Sequence, residues 1–317
     1  MRVVAAPAPL KEVLSARDAA AALARGARGV GADVDEVPVA DGGEDTAEVL
    51  FHALGGDWRV ASVPDPLGRP VEARWLLLPD GRAVVESAQA LGLALVAPAE
   101  RDPLRASSRG LGELIRAALD ARPRELWIAL GGSATVDGGA GLREVVDSLP
   151  VPAVALVDVR SPLLGARGAA RAFGPQKGAD PDAVEELERR LAAMPELRPF
   201  ADVAGAGAAG GLGAALAALG AQVVQGAAAI AEAVGLRERV RAADVVVTGE
   251  GRVDATTLEG KAPAAVAAVA AEAGVRCVVF GGRVAVRPPG VEVRELSGDR
   301  GRAREDLEEL GAALARR

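Results

Sequence analysis

The sequence predicts an α/β protein in two lobes: a doubly wound parallel sheet built from the chain ends, with a second, mixed α/β lobe inserted into it. Three observations predict it. Short Val-rich runs at residues 2–6, 33–39, 244–248, 276–280 and 291–296 have the length of buried parallel strands. A helical period or a glycine turn follows each, giving β-α-β-α at the start and β-α-β-β-α at the end. The segment between them changes character, with Pro and Gly turns dividing sheet-like runs.

The first helix spans residues 16–28, with Ser15 placed to cap it. A second covers 44–54 and stops at Gly55-Gly56; helices at 261–273 and 305–316 complete the terminal lobe. In the insertion, residues 58–64, 71–79 and 82–87 read as strands, 111–121 as a helix and 125–130 as a strand entering Gly131-Gly132-Ser133-Ala134-Thr135. The lobes are thus expected at residues 1–57 with 241–317, and at 58–240. Residues 203–231 carry no charge, but their Gly and Ala content favours a buried helix after a glycine loop over a membrane span.

The 317 residues suffice for a sizeable core, and half are hydrophobic. With four Phe, three Trp, no Tyr and a net charge of −7, the chain lacks both the stacking platforms and the charge for nucleic acid. One Cys and one His exclude an internal disulfide and the usual zinc sets, so any metal should be a hard ion such as Mg²⁺. Cys277 reads as a buried core thiol. Pro7, Pro9 and Lys11 break any secretory apolar core, and the expectation is a cytoplasmic protein without membrane contact.

Ligands of doubly wound sheets bind outside the carboxyl ends of the strands. Those ends carry Lys11, then Ala40-Asp41-Gly42-Gly43-Glu44, then Thr248-Gly249-Glu250-Gly251-Arg252-Val253-Asp254 with Gly260-Lys261. Paired carboxylates there can orient a hydroxyl or hold Mg²⁺, and Arg252 or Lys261 can neutralise phosphate or carboxylate. The plainer reading of the Asp41 segment is a tight turn with an N-capping acid. In the insertion, Ser133, Thr135 and Asp137 lie in a glycine-rich strand-to-helix loop that could cradle phosphate, though such turns are often only structural. Lys177, in Phe173-Gly174-Pro175-Gln176-Lys177-Gly178, could aim a point charge or simply be an exposed lysine. Gly205-Ala206-Gly207-Ala208-Ala209-Gly210 matches a dinucleotide fingerprint by letter, but it lacks a convincing preceding strand and a ribose-binding acid. No Walker or protein-kinase motif is present.

Taken together and in order, these segments resemble the glycerate kinase family. The resemblance also rests on Leu14-Ser15-Ala16, Gly112-Glu113-Leu114-Ile115, Asp137-Gly138-Gly139-Ala140-Gly141, Asp158-Val159 and Pro162-Leu163-Leu164-Gly165. It covers nearly the whole chain. It implies a flavodoxin-like lobe carrying the inserted lobe, and transfer of the γ-phosphoryl of ATP to a hydroxyl of D-glycerate, with Mg²⁺, in the interlobe cleft. Asp41 or Asp254 would orient the hydroxyl. Asp137 or Glu250 would support the metal. Lys11, Lys177, Arg252 and Lys261 would supply positive charge, with Ser133, Thr135 and their neighbours around the nucleotide phosphates. A homo-oligomer stays open.

The chain departs from the family pattern near the expected site. Pro7-Ala8-Pro9-Leu10-Lys11 stands where Pro-Asp-Ser-Phe-Lys is usual, removing a carboxylate and a hydroxyl. Asp45 replaces a Gly, Val136 an Asn, Thr256 a Gln, Arg283 a Ser and Arg109 a Tyr. These changes leave three readings open: a weakened kinase, one with a related substrate, or a silent homologue binding a nucleotide or acid as sensor or partner subunit.

Overall fold

The computed structural model describes residues 1–254, 257, 261–287 and 291–316. Thr256 and Gly260 lie outside the described residues. By packing, the chain forms two units: Met1–Asp41, Glu48–Ala53 and Ala227–Arg317 make the first, and Gly42–Ala47 with Leu54–Gly226 the second. The boundary expected at residue 240 differs from this division. The helices Gly226–Ala233 and Leu236–Arg241 pack almost wholly with the first unit, because Ile230, Val234, Leu236 and Val240 are buried there.

The first unit is a parallel sheet of β1 (Arg2–Ala5), β2 (Asp33–Glu36), β9 (Val245–Val253), β10 (Arg276–Val284) and β11 (Glu292–Glu295), in the order β11-β10-β9-β1-β2. Among these five, in chain order, the arrangement is 2-1-3-4-5, the doubly wound order of flavodoxin-like sheets, which reverses between β1 and β9. Val3, Ala5, Val245, Val247, Val278 and Phe280 form the centre of its core. Ser15 accepts from the Asp18 N–H at 3.0 Å and caps the helix Ala16–Arg28, as the sequence predicts. That helix crosses Ala303–Ala315 at very short range. A Cβ on Gly26 would strike the Glu308 carbonyl, and one on Gly311 the Leu23 carbonyl, so each helix contributes a glycine at the contact. Cys277 is only half-buried, since it starts the run of β10 ahead of its buried centre.

The second unit holds a six-stranded sheet in sequential order: β3 (Asp57–Pro64), β4 (Pro70–Leu77), β5 (Arg82–Glu86), β6 (Glu125–Leu130), β7 (Ala153–Val157) and β8 (Gln222–Gln225). The first three pair antiparallel through short turns, and β5 to β8 pair parallel. Its core gathers Leu111, Leu114 and Ile115 of helix Arg109–Asp120 onto Leu126, Ile128 and Leu130, with Leu212 and Leu216. The uncharged stretch expected as one helix divides into helix Ala208–Ala218, strand β8 and helix Gly226–Ala233. Gly220, at φ 92°, turns the chain after the first helix, and Val223 and Val224 then suit the sheet edge beside β7. Among the described residues no helix is long and apolar enough to cross a membrane.

Candidate active site

In the first unit the strand ends do not fray at their last ladder residue. Ala6 and Ala8 donate to the carbonyls of Val247 and Gly249 at 2.8 and 2.9 Å, while Val37 and Val39 donate to Ala5 and Pro7 at 2.8 and 3.0 Å. The exits of β1, β2 and β9 therefore run side by side beyond the sheet. Residues 249–253, expected as a loop, continue β9 instead, with Gly281 opposite Glu250 and Arg283 opposite Arg252 on β10. Gly249 makes this possible, since a Cβ there would run into the Phe280 backbone and ring. With period-2 alternation, Glu250 and Arg252 share one face of the sheet.

A crevice of about 630 Å³ opens at these exits. Lys11, Asp41, Glu250, Arg252, Asp254 and Lys261 all line it, so six of the ten sequence-predicted site residues converge from three distant stretches of chain. It lies at the reversal between β1 and β9, where an open parallel sheet leaves room for a ligand. Ala8, Pro9 and Leu10 give one wall an apolar surface, and Arg283, Asp299, Arg300 and Asp306 line the remainder. The last three were not singled out by sequence, because they sit in a C-terminal segment without a recognisable motif.

Glu250 is largely buried, with its side chain 15% exposed and its Oε2 3.5 Å from Lys261 Nζ. Burial pushes its carboxyl above the usual range; Thr257 and Lys261 pull it back, and the Asp41 charge adds to the rise. Its Oε1 is buried without a hydrogen-bond partner, an orphaned acceptor suited to a cation or a hydroxyl. Arg252 pairs with Asp254 at 3.2 Å, but it is 68% exposed and screened by solvent. The Asp254 N–H donates to Thr257 Oγ1 at 3.0 Å, which fixes the turn after β9.

The four predicted residues of the second unit are brought together as well, with a different result. Lys177 is buried at 3% exposure, and its amine donates to Ser133 Oγ at 3.0 Å and to the Thr135 carbonyl at 2.8 Å. Burial lowers it to about 7, against a smaller upward pull from Asp137. Two acceptors match the two N–H groups of a neutral amine. In this arrangement Lys177 braces the glycine loop from within. The Asp137 carboxylate is engaged within the protein: it accepts from Ser108 N and Oγ (2.8 and 2.7 Å), Gly139 N and Gly141 N (both 3.1 Å). The amides of Gly131, Ala134, Gly138 and Ala140 also donate to protein acceptors, and the Glu44 side chain lies against Gly132. These amides are thus engaged within the protein, and a carboxylate lies against the loop. Ser133 and Thr135 are buried, and Thr135 Oγ1 has no partner.

Two departures from the family pattern acquire reasons here. Val136 is buried among Leu163, Leu187, Leu191 and Leu197, where an amide would need partners. Asp45 adopts φ 66°, a left-handed conformation that glycine takes freely and that Asp tolerates better than most side chains. Among the described residues no group of three or more His, Cys, Asp or Glu could hold a metal by itself. The sequence reading also missed Glu86, 6% exposed and pushed up to about 7 by burial, whose Oε1 accepts from the Ala47 N–H at 2.7 Å.

Fold and crevice define a doubly wound α/β protein with a charged small-ligand site at its switch point. Comparison with known proteins narrows this. The model of the glycerate kinase family matches residues 3–148 and 144–297. The chain is 39% identical to a glycerate kinase of Bacillus subtilis, spanning 90% of this chain and 85% of that one. It is 40% identical to the glycerate 2-kinase of Escherichia coli over 85% and 82% of the two chains. A crystal structure assigned to glycerate kinase 2 of Salmonella typhimurium LT2 superposes with a TM-score of 0.85 at 36% identity, covering 99% and 97%. The chain belongs to the glycerate kinase family, and it is an enzyme of the kinase class.

Proposed function

We propose that the protein transfers the γ-phosphoryl group of ATP to a hydroxyl of D-glycerate or a closely related small hydroxy acid. The observation that carries this reading is the convergence of Lys11, Asp41, Glu250, Arg252, Asp254 and Lys261 on one crevice. Phosphoryl transfer asks little covalent chemistry of a protein; it needs the reactants aligned and the charge on the transferring group stabilised. The crevice supplies both kinds of group. Asp41 is our choice to orient the attacking hydroxyl and accept its proton, with Asp254 beside it. Arg252 and Lys261 neutralise phosphate or substrate carboxylate, and Lys11 adds a third cation.

The donor set fits Mg²⁺, which is commonly held by one or two carboxylates together with substrate phosphates. Of the two candidates, Asp137 and Glu250, we favour Glu250, which would hold it through the orphaned Oε1. When bound, the ion would neutralise phosphate charge. ATP and Mg²⁺ are abundant in the cytoplasm, and we place the enzyme there.

The test is a coupled ADP-release assay with Mg-ATP, D-glycerate and a panel of small hydroxy acids. Asp41→Asn should lower kcat by about 100-fold or more, the range for losing a positioned base, with an unchanged circular dichroism melt. Full retained turnover would remove Asp41 from this role. Absence of ADP release with every acid would refute the kinase reading and favour a binding protein.

A further inference from the structure

Five cations and five acids line the crevice, so it is balanced in count, but not every cation has a partner within the protein. Its cations come from neighbouring chain segments. Lys11 follows β1, Arg252 is on β9 and Arg283 on β10, and Gly251 packs against the backbone of Leu10 and Lys11 on one side and faces Gly282 on the other. Arg252 and Arg283 are register partners on adjacent parallel strands, so their side chains leave the same face of the sheet. Like charges placed opposite each other in a sheet repel. Arg252 has Asp254 at 3.2 Å to offset this, and the other crevice charges are engaged too: Lys261 with Glu250, Arg300 with Glu12, Asp299 with the Gly301 N–H and Asp306 with Ser297. Among the described residues, the side chains of Lys11 and Arg283 make no hydrogen bond or ion pair with any protein group. A repulsive arginine pair kept at the rim of a crevice, with one member lacking a counterion, lacks only an anion.

We propose that Arg283, set beside Arg252, is an oxyanion-binding residue of this crevice whose ligand is a terminal phosphoryl dianion. The inference rests on the crevice being the reaction site, and it adds a residue that the kinase reading did not include. Two guanidinium forks present parallel N–H donors suited to the several equivalent oxygens of a phosphoryl group, whereas a single carboxylate would occupy one fork. Two sources could bring that group: the phosphorylated hydroxy acid or the nucleotide.

The test is calorimetric titration of the full-length protein, wild type, Arg283→Ser and Arg283→Lys, with 2-phosphoglycerate, 3-phosphoglycerate, ADP and D-glycerate in turn. Arg283 is exposed and unpaired, so both variants should melt as the wild type does. Arg283→Ser should weaken binding of a phosphoglycerate or of ADP by about tenfold or more, while D-glycerate changes less than threefold. Arg283→Lys should fall between, since it keeps the charge and loses the fork. Loss confined to phosphoglycerate identifies the acid as the source; loss confined to ADP identifies the nucleotide. Unchanged binding of all phosphorylated ligands, or an equal loss for D-glycerate, overturns the proposal. ADP-release activity measured alongside separates the two readings. Arg283-dependent phosphate binding without turnover sinks only the kinase reading, and turnover with Arg283-independent binding sinks only this one.

Discussion

Replacing Lys177 by Met should change how the stability of the second unit depends on pH. The amine is fully enclosed, and burial lowers it from its ordinary 10.5 to about 7. At roughly 1.4 kcal/mol per pH unit, holding the ammonium in this site costs about 5 kcal/mol relative to water. The folded value lies below the unfolded one, so between them the unfolded chain binds the extra proton and native stability rises with pH. Below about 7 both states are protonated and the contribution is gone. From pH 7 to 9 the wild type should therefore gain about 2 kcal/mol that Lys177→Met does not. The three tryptophans, Trp58, Trp75 and Trp127, all lie in the second unit, so their fluorescence during urea unfolding reports that unit alone. Parallel stability curves for the two proteins over this range would refute the buried neutral amine.

Glu86 should behave in the opposite sense. Its carboxyl is raised from 4.5 to about 7, so the stability it contributes is complete below 4.5 and is lost as pH climbs through 7. Glu86→Gln should remove about 3 kcal/mol of that loss, seen by the same fluorescence as a flatter profile between pH 5 and 7. Asp137→Ala should destabilise the second unit by about 3 kcal/mol or more, because Ser108 and two glycine amides lose their shared acceptor. If Asp137 instead served a metal, the variant's stability would stay near wild type and its Mg²⁺ dependence would move.

The parts of the fold legible in the sequence were those set by local chemistry. Ser15 before an amphipathic run, Gly55-Gly56 after one, and the Val-rich runs gave helix Ala16–Arg28, the end of helix Thr46–Leu54 and the starts of the terminal strands to within a residue. The convergence of Asp41 with Glu250 and Lys261 was legible too, since strand ends carry ligands in such sheets. What failed depended on partners distant in the chain. Nothing local in 249–253 says that β10 will pair with it, or that Gln222–Gln225 will find β7. Lys177 and Asp137 were read by residue type as ligand-facing charges, because burial and four accepted hydrogen bonds are properties of the surroundings and leave no mark in the residue itself.

The pairing of β1 with β9 has a consequence for biosynthesis. Arg2 donates its N–H to Asp244, 242 residues away, and β9, the other parallel neighbour of β1 besides β2, is made after the whole of Leu54–Gly226 has been synthesised. At about 5–20 residues per second, the nascent amino terminus waits roughly ten seconds to a minute with a Val-rich edge exposed. The second unit is nearly contiguous and can complete its own sheet meanwhile. The crevice is then the last part of the molecule to form, and truncated chains should carry a folded second unit and no ligand site.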